Sequence, residues 1–109
     1  MPARVVVLGN INQDFVMRAE RMPRPGETIL GADLKFVAGG KGANQAVTAA
    51  RLGAETTLIG RVGQDAFGPG LLENLRREGV ETRYIGCDDD VATGSAFIAL
   101  APDGQNSIL

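Results

Sequence analysis

Apolar and polar positions along the chain fall into runs of distinct period. Arg4-Val5-Val6-Val7-Leu8-Gly9 is apolar with no polar alternation, the pattern of a central strand covered on both faces. From Thr28 to Val37 the chain alternates: Leu30, Ala32, Leu34 and Phe36 share one face and Gly31, Asp33 and Lys35 the other, as in a strand with one covered face. Over 40–52, Ala43, Ala46, Val47 and Ala50 recur at i, i+3, i+4 and i+7, which predicts a helix with a small-residue stripe. Arg51 suits the C-terminal dipole of that helix, and Gly53 falls where a C′ glycine belongs. Thr56 to Val62 is a second core strand that closes at Gly63. A second helix starts at Asp65 or Gly68, with Pro69 in its first turn, Leu71, Leu72 and Leu75 inward, and Gly79 at its end. Val80 to Cys87 predicts a short strand.

Four further segments, at about 14–18, 28–37, 92–101 and 105–109, read as strands with no helix between them. Pro23, Pro25 and Gly26 make a rigid turn of type II character before the second of these, and Pro102-Asp103-Gly104 is a hairpin turn joining the last two. The βαβα order of the rest implies a parallel sheet covered by helices. The four helix-free segments are expected to form a small antiparallel sheet of their own. At 109 residues the chain holds one domain at most. Asn106-Ser107-Ile108-Leu109 reads as a strand in progress, so the expectation is part of a longer protein with an incomplete core.

Composition narrows the chemistry. A net charge of −2 argues against a nucleic-acid surface, which would carry a basic stripe. The absence of His removes imidazole metal ligands and imidazole general bases together. Cys87 is the only cysteine, so no intrachain disulfide can form; a cytoplasmic setting and a buried or inert thiol are the expectations. No apolar run approaches the length of a membrane span. Asp88-Asp89-Asp90 reads as a solvated loop, and no metal site is expected in this chain.

Candidate chemistry centres on Ala38-Gly39-Gly40-Lys41-Gly42-Ala43-Asn44-Gln45, between a strand and a helix. Glycine permits positive φ and close approach, and a first helical turn has N–H groups without intrahelical partners. The loop is therefore a candidate receptor for anionic or hydroxylic oxygen, with Lys41 adding a cation and Asn44 an amide. It is not a Walker A loop: Lys35 stands at the first glycine position, and Gly42 follows Lys41 where Ser or Thr is needed. It also fails as a dinucleotide fingerprint, because Gln45 replaces the third glycine. A second candidate follows the first strand. Ligands of open α/β sheets bind beyond the carboxyl ends of strands, which is where Asn12 and Asp14 fall.

These residues, taken together, resemble the ribokinase branch of the PfkB carbohydrate kinase family, in its N-terminal part. The blocks that carry the resemblance are Val6 to Asp14, Pro25-Gly26-Glu27-Thr28, Gly39 to Val47, Gly60-Arg61-Val62-Gly63-Gln64-Asp65-Ala66-Phe67-Gly68, and Thr93-Gly94-Ser95-Ala96. Their order and spacing span nearly all of residues 1–109. The resemblance implies a Rossmann-like, ribokinase-like α/β fold with a small β-sheet lid, and a homodimer formed through that lid. It implies transfer of the ATP γ-phosphoryl group to the 5-hydroxyl of D-ribose, with Mg²⁺ and a monovalent cation such as K⁺. By motif position, Asn12 and Asp14 would grip sugar hydroxyls, and Gly40, Lys41, Gly42 and Asn44 would hold the other side of the ring. The family's catalytic Asp, in a Gly-Ala-Gly-Asp motif, and its ATP-binding segments have no counterpart in 1–109, so the chain alone is expected to transfer no phosphate. A kinase of the same family acting on deoxyribose, fructose or a nucleoside is an alternative, as is a non-catalytic sugar-binding or dimerisation module.

Overall fold

The computed structural model describes residues 1–109, in two compact units: Met1–Gln13 with Ala38–Gly94, and Asp14–Val37 with Ser95–Leu109. The first unit contains strands β1 (Arg4–Leu8), β4 (Glu55–Gly63), β5 (Val80–Glu81) and β6 (Ile85–Asp88), and helices α1 (Lys41–Arg51) and α2 (Gly68–Arg77). Strand β4 is the centre of its sheet. It pairs in parallel with β1 on one side and with β5 and then β6 on the other. The run expected as one strand over 80–87 is two short ones, because a turn closed by the Ile85 N–H on the Thr82 carbonyl interrupts it.

One cluster forms the core: Val7 and Ile11, Ala43 and Ala46 of α1, Leu58 and Val62 of β4, Leu71 and Leu75 of α2, and Val80. The helical stripes predicted from the alanine and leucine spacing supply both helical contributions. Ala46 and Leu58 have no exposed surface, and burying one leucine contributes about 1.5–3 kcal/mol. Both helices pack on the Val7 side of the sheet. The expectation that β1 is central and covered on both faces is therefore corrected. It is an edge strand, and Val6 and Leu8 are 66% and 80% exposed. No helix remains in this length to cover their face, so the apolar run lies open on one side.

The helix ends follow local chemistry. Gly53 (φ +95°) and Gly79 (φ +85°) stop α1 and α2 in the left-handed conformation that glycine adopts freely. Arg51 in the last turn of α1 makes two 2.7 Å bonds to Glu78. Pro69 sits in the first turn of α2, where its missing N–H costs nothing.

The remaining strands form a second sheet in the order β3-β2-β7-β8: β2 is Asn12–Arg18, β3 Ala32–Gly39, β7 Gly94–Leu100 and β8 Asn106–Ile108. The separate sheet expected from the helix-free segments is present, and the β7/β8 hairpin is antiparallel as expected. The sheet is mixed, however. Gly94 at the start of β7 lies beside Asn12 at the start of β2, and the Ala19 N–H donates to the Leu100 carbonyl where both strands end. That pair therefore runs parallel. Strand β3 begins later than the alternation suggested, and Leu30, Leu34 and Phe36 are all exposed. Asp33 adopts φ +56° inside β3, a conformation unusual for a residue with a Cβ. Packing in the second unit is largely aromatic. Phe15 stacks on Phe97 with centroids 4.8 Å apart and meets Phe36 edge-on at 5.3 Å.

Candidate functional site

The glycine loop is built against the backbone that follows β1. Gly42 is buried, and a Cβ there would lie 2.6 Å from Gly9 Cα and 2.7 Å from the Asn10 nitrogen. Gly40 has φ +100°, and a Cβ on it would come 2.7 Å from the Asn10 carbonyl oxygen. The loop glycines are thus needed first for contact between two backbone segments. Two donors of the α1 first turn are used in the same way. The Gly42 N–H donates to Asn10 Oδ1 at 3.0 Å, and the Ala43 N–H donates to the Asn10 carbonyl at 3.0 Å. Two of the donors that the sequence offered to a ligand at the helix start are therefore taken, by the side chain and carbonyl of Asn10, a residue that sequence reasoning passed over.

This clasp places the other candidates. Asn12 is half-buried at the start of β2, one residue beyond the buried Ile11. Lys41 and Asn44 project from the first turn of α1 and are exposed. Asn44 borders a recess of about 20 Å³ with Ile11, Gly39 and Asn74 of α2, too small for a sugar ring. Asn12, Gly40, Lys41, Gly42 and Asn44 therefore all belong to the first unit, joined through the 9–12 and 39–44 backbones. Asp14 belongs to the second. Its carboxyl is half-buried, and burial raises its pKa above the ordinary value.

Asp65 is the opposite kind of carboxylate. Its Oδ1 accepts from the N–H groups of Phe67 and Gly68 at 3.0 and 3.1 Å, at the entry to α2. The same oxygen accepts from Thr93 Oγ1 at 2.8 Å, and Oδ2 accepts from the Thr93 N–H at 2.8 Å. The Gly63 N–H then donates to Thr93 Oγ1 at 2.9 Å. Bonds from Thr93 first, with those from Phe67 and Gly68, hold the Asp65 pKa down to about 2. Residues 63–68 and 93–94 are thereby tied into one knot at the root of β7. A helix start at Asp65 or Gly68 was readable in the sequence; the link of Asp65 to Thr93, 28 residues away, was not.

Elsewhere, Asp88 pairs with Arg61 at 2.7 Å, which holds its pKa down. Cys87 is exposed on β6, so of the buried or inert thiol expected, the buried alternative is corrected. An apolar groove of about 490 Å³ in the second unit is lined by Phe15, Met17, Leu34 and Phe97 among others, with Arg21 its one charged side chain. That lining does not suit a polyol, which needs several hydrogen-bonding groups. No three acidic, thiol or imidazole side chains converge as a metal site, and two first-turn donors of α1 are engaged by Asn10.

Comparison with known proteins gives one answer along the whole chain. The family model "pfkB family carbohydrate kinase" matches residues 2–109. The ribokinase of Bacillus subtilis is 45% identical over 105 residues, which are 96% of this chain and 36% of the relative. Among solved structures, the ribokinase of Cryptococcus neoformans var. grubii in complex with ADP is 41% identical with a TM-score of 0.88, over 98% of this chain and 34% of that one. Arabidopsis thaliana ribokinase complexed with ribose and ATP is 41% identical with a TM-score of 0.87, over 100% of this chain and 36% of that one. The chain spans about a third of the length of these relatives.

Proposed function

The chain belongs to the pfkB family of carbohydrate kinases, and we propose that it is the sugar-gripping, lid-bearing third of an ATP-dependent ribokinase. The observation that carries this reading is the match, over every residue of this chain, to a ribokinase that holds ribose and ATP. The reaction is transfer of the γ-phosphoryl group of ATP to the 5-hydroxyl of D-ribose. Asn12 and Asp14 grip ring hydroxyls from the β2 side, and Gly40, Lys41, Gly42 and Asn44 hold the ring from the α1 side. An ionised carboxylate accepts two hydroxyl protons in charge-assisted bonds, the stronger kind. Phosphoryl transfer is catalysed largely by positioning and electrostatics, so a rigidly held acceptor sugar is a substantial part of the mechanism.

The catalytic base, ATP, Mg²⁺ and a monovalent cation such as K⁺ are assigned to the two thirds of the relatives that this chain does not cover. The apolar groove beside Phe15 and Phe97 supports reading the second sheet as a lid that pairs with a second copy in a homodimer. A cytoplasmic setting completes the reading.

The test is ADP release by the full-length protein with ribose, deoxyribose, fructose and a nucleoside as acceptors. The highest kcat/KM is expected for ribose, and none for residues 1–109 alone. Preference for fructose or a nucleoside would reject the ribokinase assignment within the family.

A further inference from the structure

Gly94 is the first residue of β7, and its φ is not in the left-handed region that favours glycine. What makes it glycine is space. A Cβ at this position would fall inside van der Waals contact of Asn12 Oδ1, with Asn12 Cγ and the Ile11 carbonyl oxygen both at 3.3 Å. The β7 backbone has little freedom to withdraw. The preceding residue, Thr93, is buried and held by Asp65 through two 2.8 Å bonds and by the Gly63 N–H at 2.9 Å. The nearest atom on the other side is the end of a short side chain, which can rotate. A methyl group at 94 is therefore relieved most cheaply by turning the Asn12 amide away.

We propose that Gly94 is a positioning residue for sugar recognition: it leaves the space that sets the orientation of the Asn12 amide, while the Asp65–Thr93 knot keeps β7 from yielding instead. The proposal rests on the reading of Asn12 as a sugar ligand, and it extends the site to a residue that touches no sugar. It also gives the Gly60–Gly68 and Thr93–Ala96 blocks a shared purpose, since the first holds the second at the edge of the site.

The experiment compares Gly94→Ala, Asn12→Ala and the double variant in the full-length protein, reading ribose KM, kcat and sugar-free thermal unfolding. Gly94→Ala is expected to raise ribose KM about tenfold with kcat within about threefold, as loss of one ground-state hydrogen-bonding partner would. Its unfolding temperature should stay within about 2 °C of the parent, because a side chain yields and not the core. In the double variant the clash with the Asn12 amide no longer exists, so KM should equal that of Asn12→Ala alone, and the two effects should fail to add. If Gly94→Ala also lowers the unfolding temperature, adding Asn12→Ala should restore it. A KM within twofold of the parent for Gly94→Ala, beside a clear loss for Asn12→Ala, overturns the positioning role and leaves the sugar site intact. Multiplying effects in the double variant overturn it as well. A neutral Asn12→Ala rejects the sugar-site reading of Asn12, and the role of Gly94 with it.

Discussion

Every buried residue of the chain lies in 1–13 or 38–94. Residues 14–37 and 95–109 have none, yet they carry more than half of the exposed large apolar side chains, among them Met17, Leu34, Phe36, Phe97 and Ile108. The first unit spends its apolar residues on a core of its own. The second arrays them on a thin sheet around an aromatic trio. The same division appears in two aspartates. In the first unit Asp65 is committed to donors within the chain, and its pKa falls to about 2. In the second, burial raises the pKa of Asp14, so its contacts within the chain do not offset the loss of water. The two carboxylates thus differ in what sets their charge: donors of the chain for Asp65, loss of water for Asp14.

The strongest break of that comparison is Asp14→Ala in the full-length protein. Two charge-assisted bonds to sugar hydroxyls, at ~1.5–3 kcal/mol each, would be lost. Ribose kcat/KM is expected to fall at least about a hundredfold, measured by steady-state kinetics over a range of ribose concentrations. A fall of less than about threefold would count decisively against Asp14 as a sugar ligand.

Next in size is Asp65→Ala, whose effect should appear in stability before recognition. The variant loses the bonds from Phe67 and Gly68 and both Thr93 bonds, and a drop of several degrees in unfolding temperature is expected at neutral pH. The folded-state pKa lies below the ordinary 3.8, so the stabilisation is complete above that value and is lost as the pH falls toward about 2. Denaturation midpoints of parent and variant should therefore converge as the solution is acidified through this range. A gap that stays constant with pH would mean that the carboxylate's charge contributes nothing.

Much of this arrangement was legible in the residues. Alanine spacing gave the buried stripe of α1, the glycines after it gave its end, and the interruption of βαβα by helix-free strands gave a second sheet. What failed to show has a common cause, which is contact between segments distant in sequence. Hydrophobic continuity in β1 suggested cover on both faces, but cover depends on where helices pack, and both pack on one side. The glycines at 40 and 42 suggested close approach of a ligand, and the close approach they permit within the chain is that of the 9–12 backbone. Composition marks Gly94 only as another glycine; its meaning comes from Asn12, 82 residues earlier in the chain.

The smallest expected effect separates recognition from stability at a single position. Asp14→Asn keeps the shape of the side chain and removes the charge that burial penalises. A raised folded-state pKa means that the ionised group weakens the native state at neutral pH and ceases to do so once acid protonates it. The sign is opposite to that of Asp65. Asp14→Asn should therefore raise the unfolding temperature slightly, by roughly 1–2 °C, near neutral pH, and the gain should vanish in acid as the parent's own carboxyl becomes neutral. Ribose kcat/KM should fall in the same variant, because an amide accepts hydroxyl protons more weakly than a carboxylate. Gain of stability with loss of activity would identify Asp14 as a group held ready for substrate at the expense of the fold. A lowered unfolding temperature would instead make its charge part of what holds the second sheet together, and would erase the contrast with Asp65.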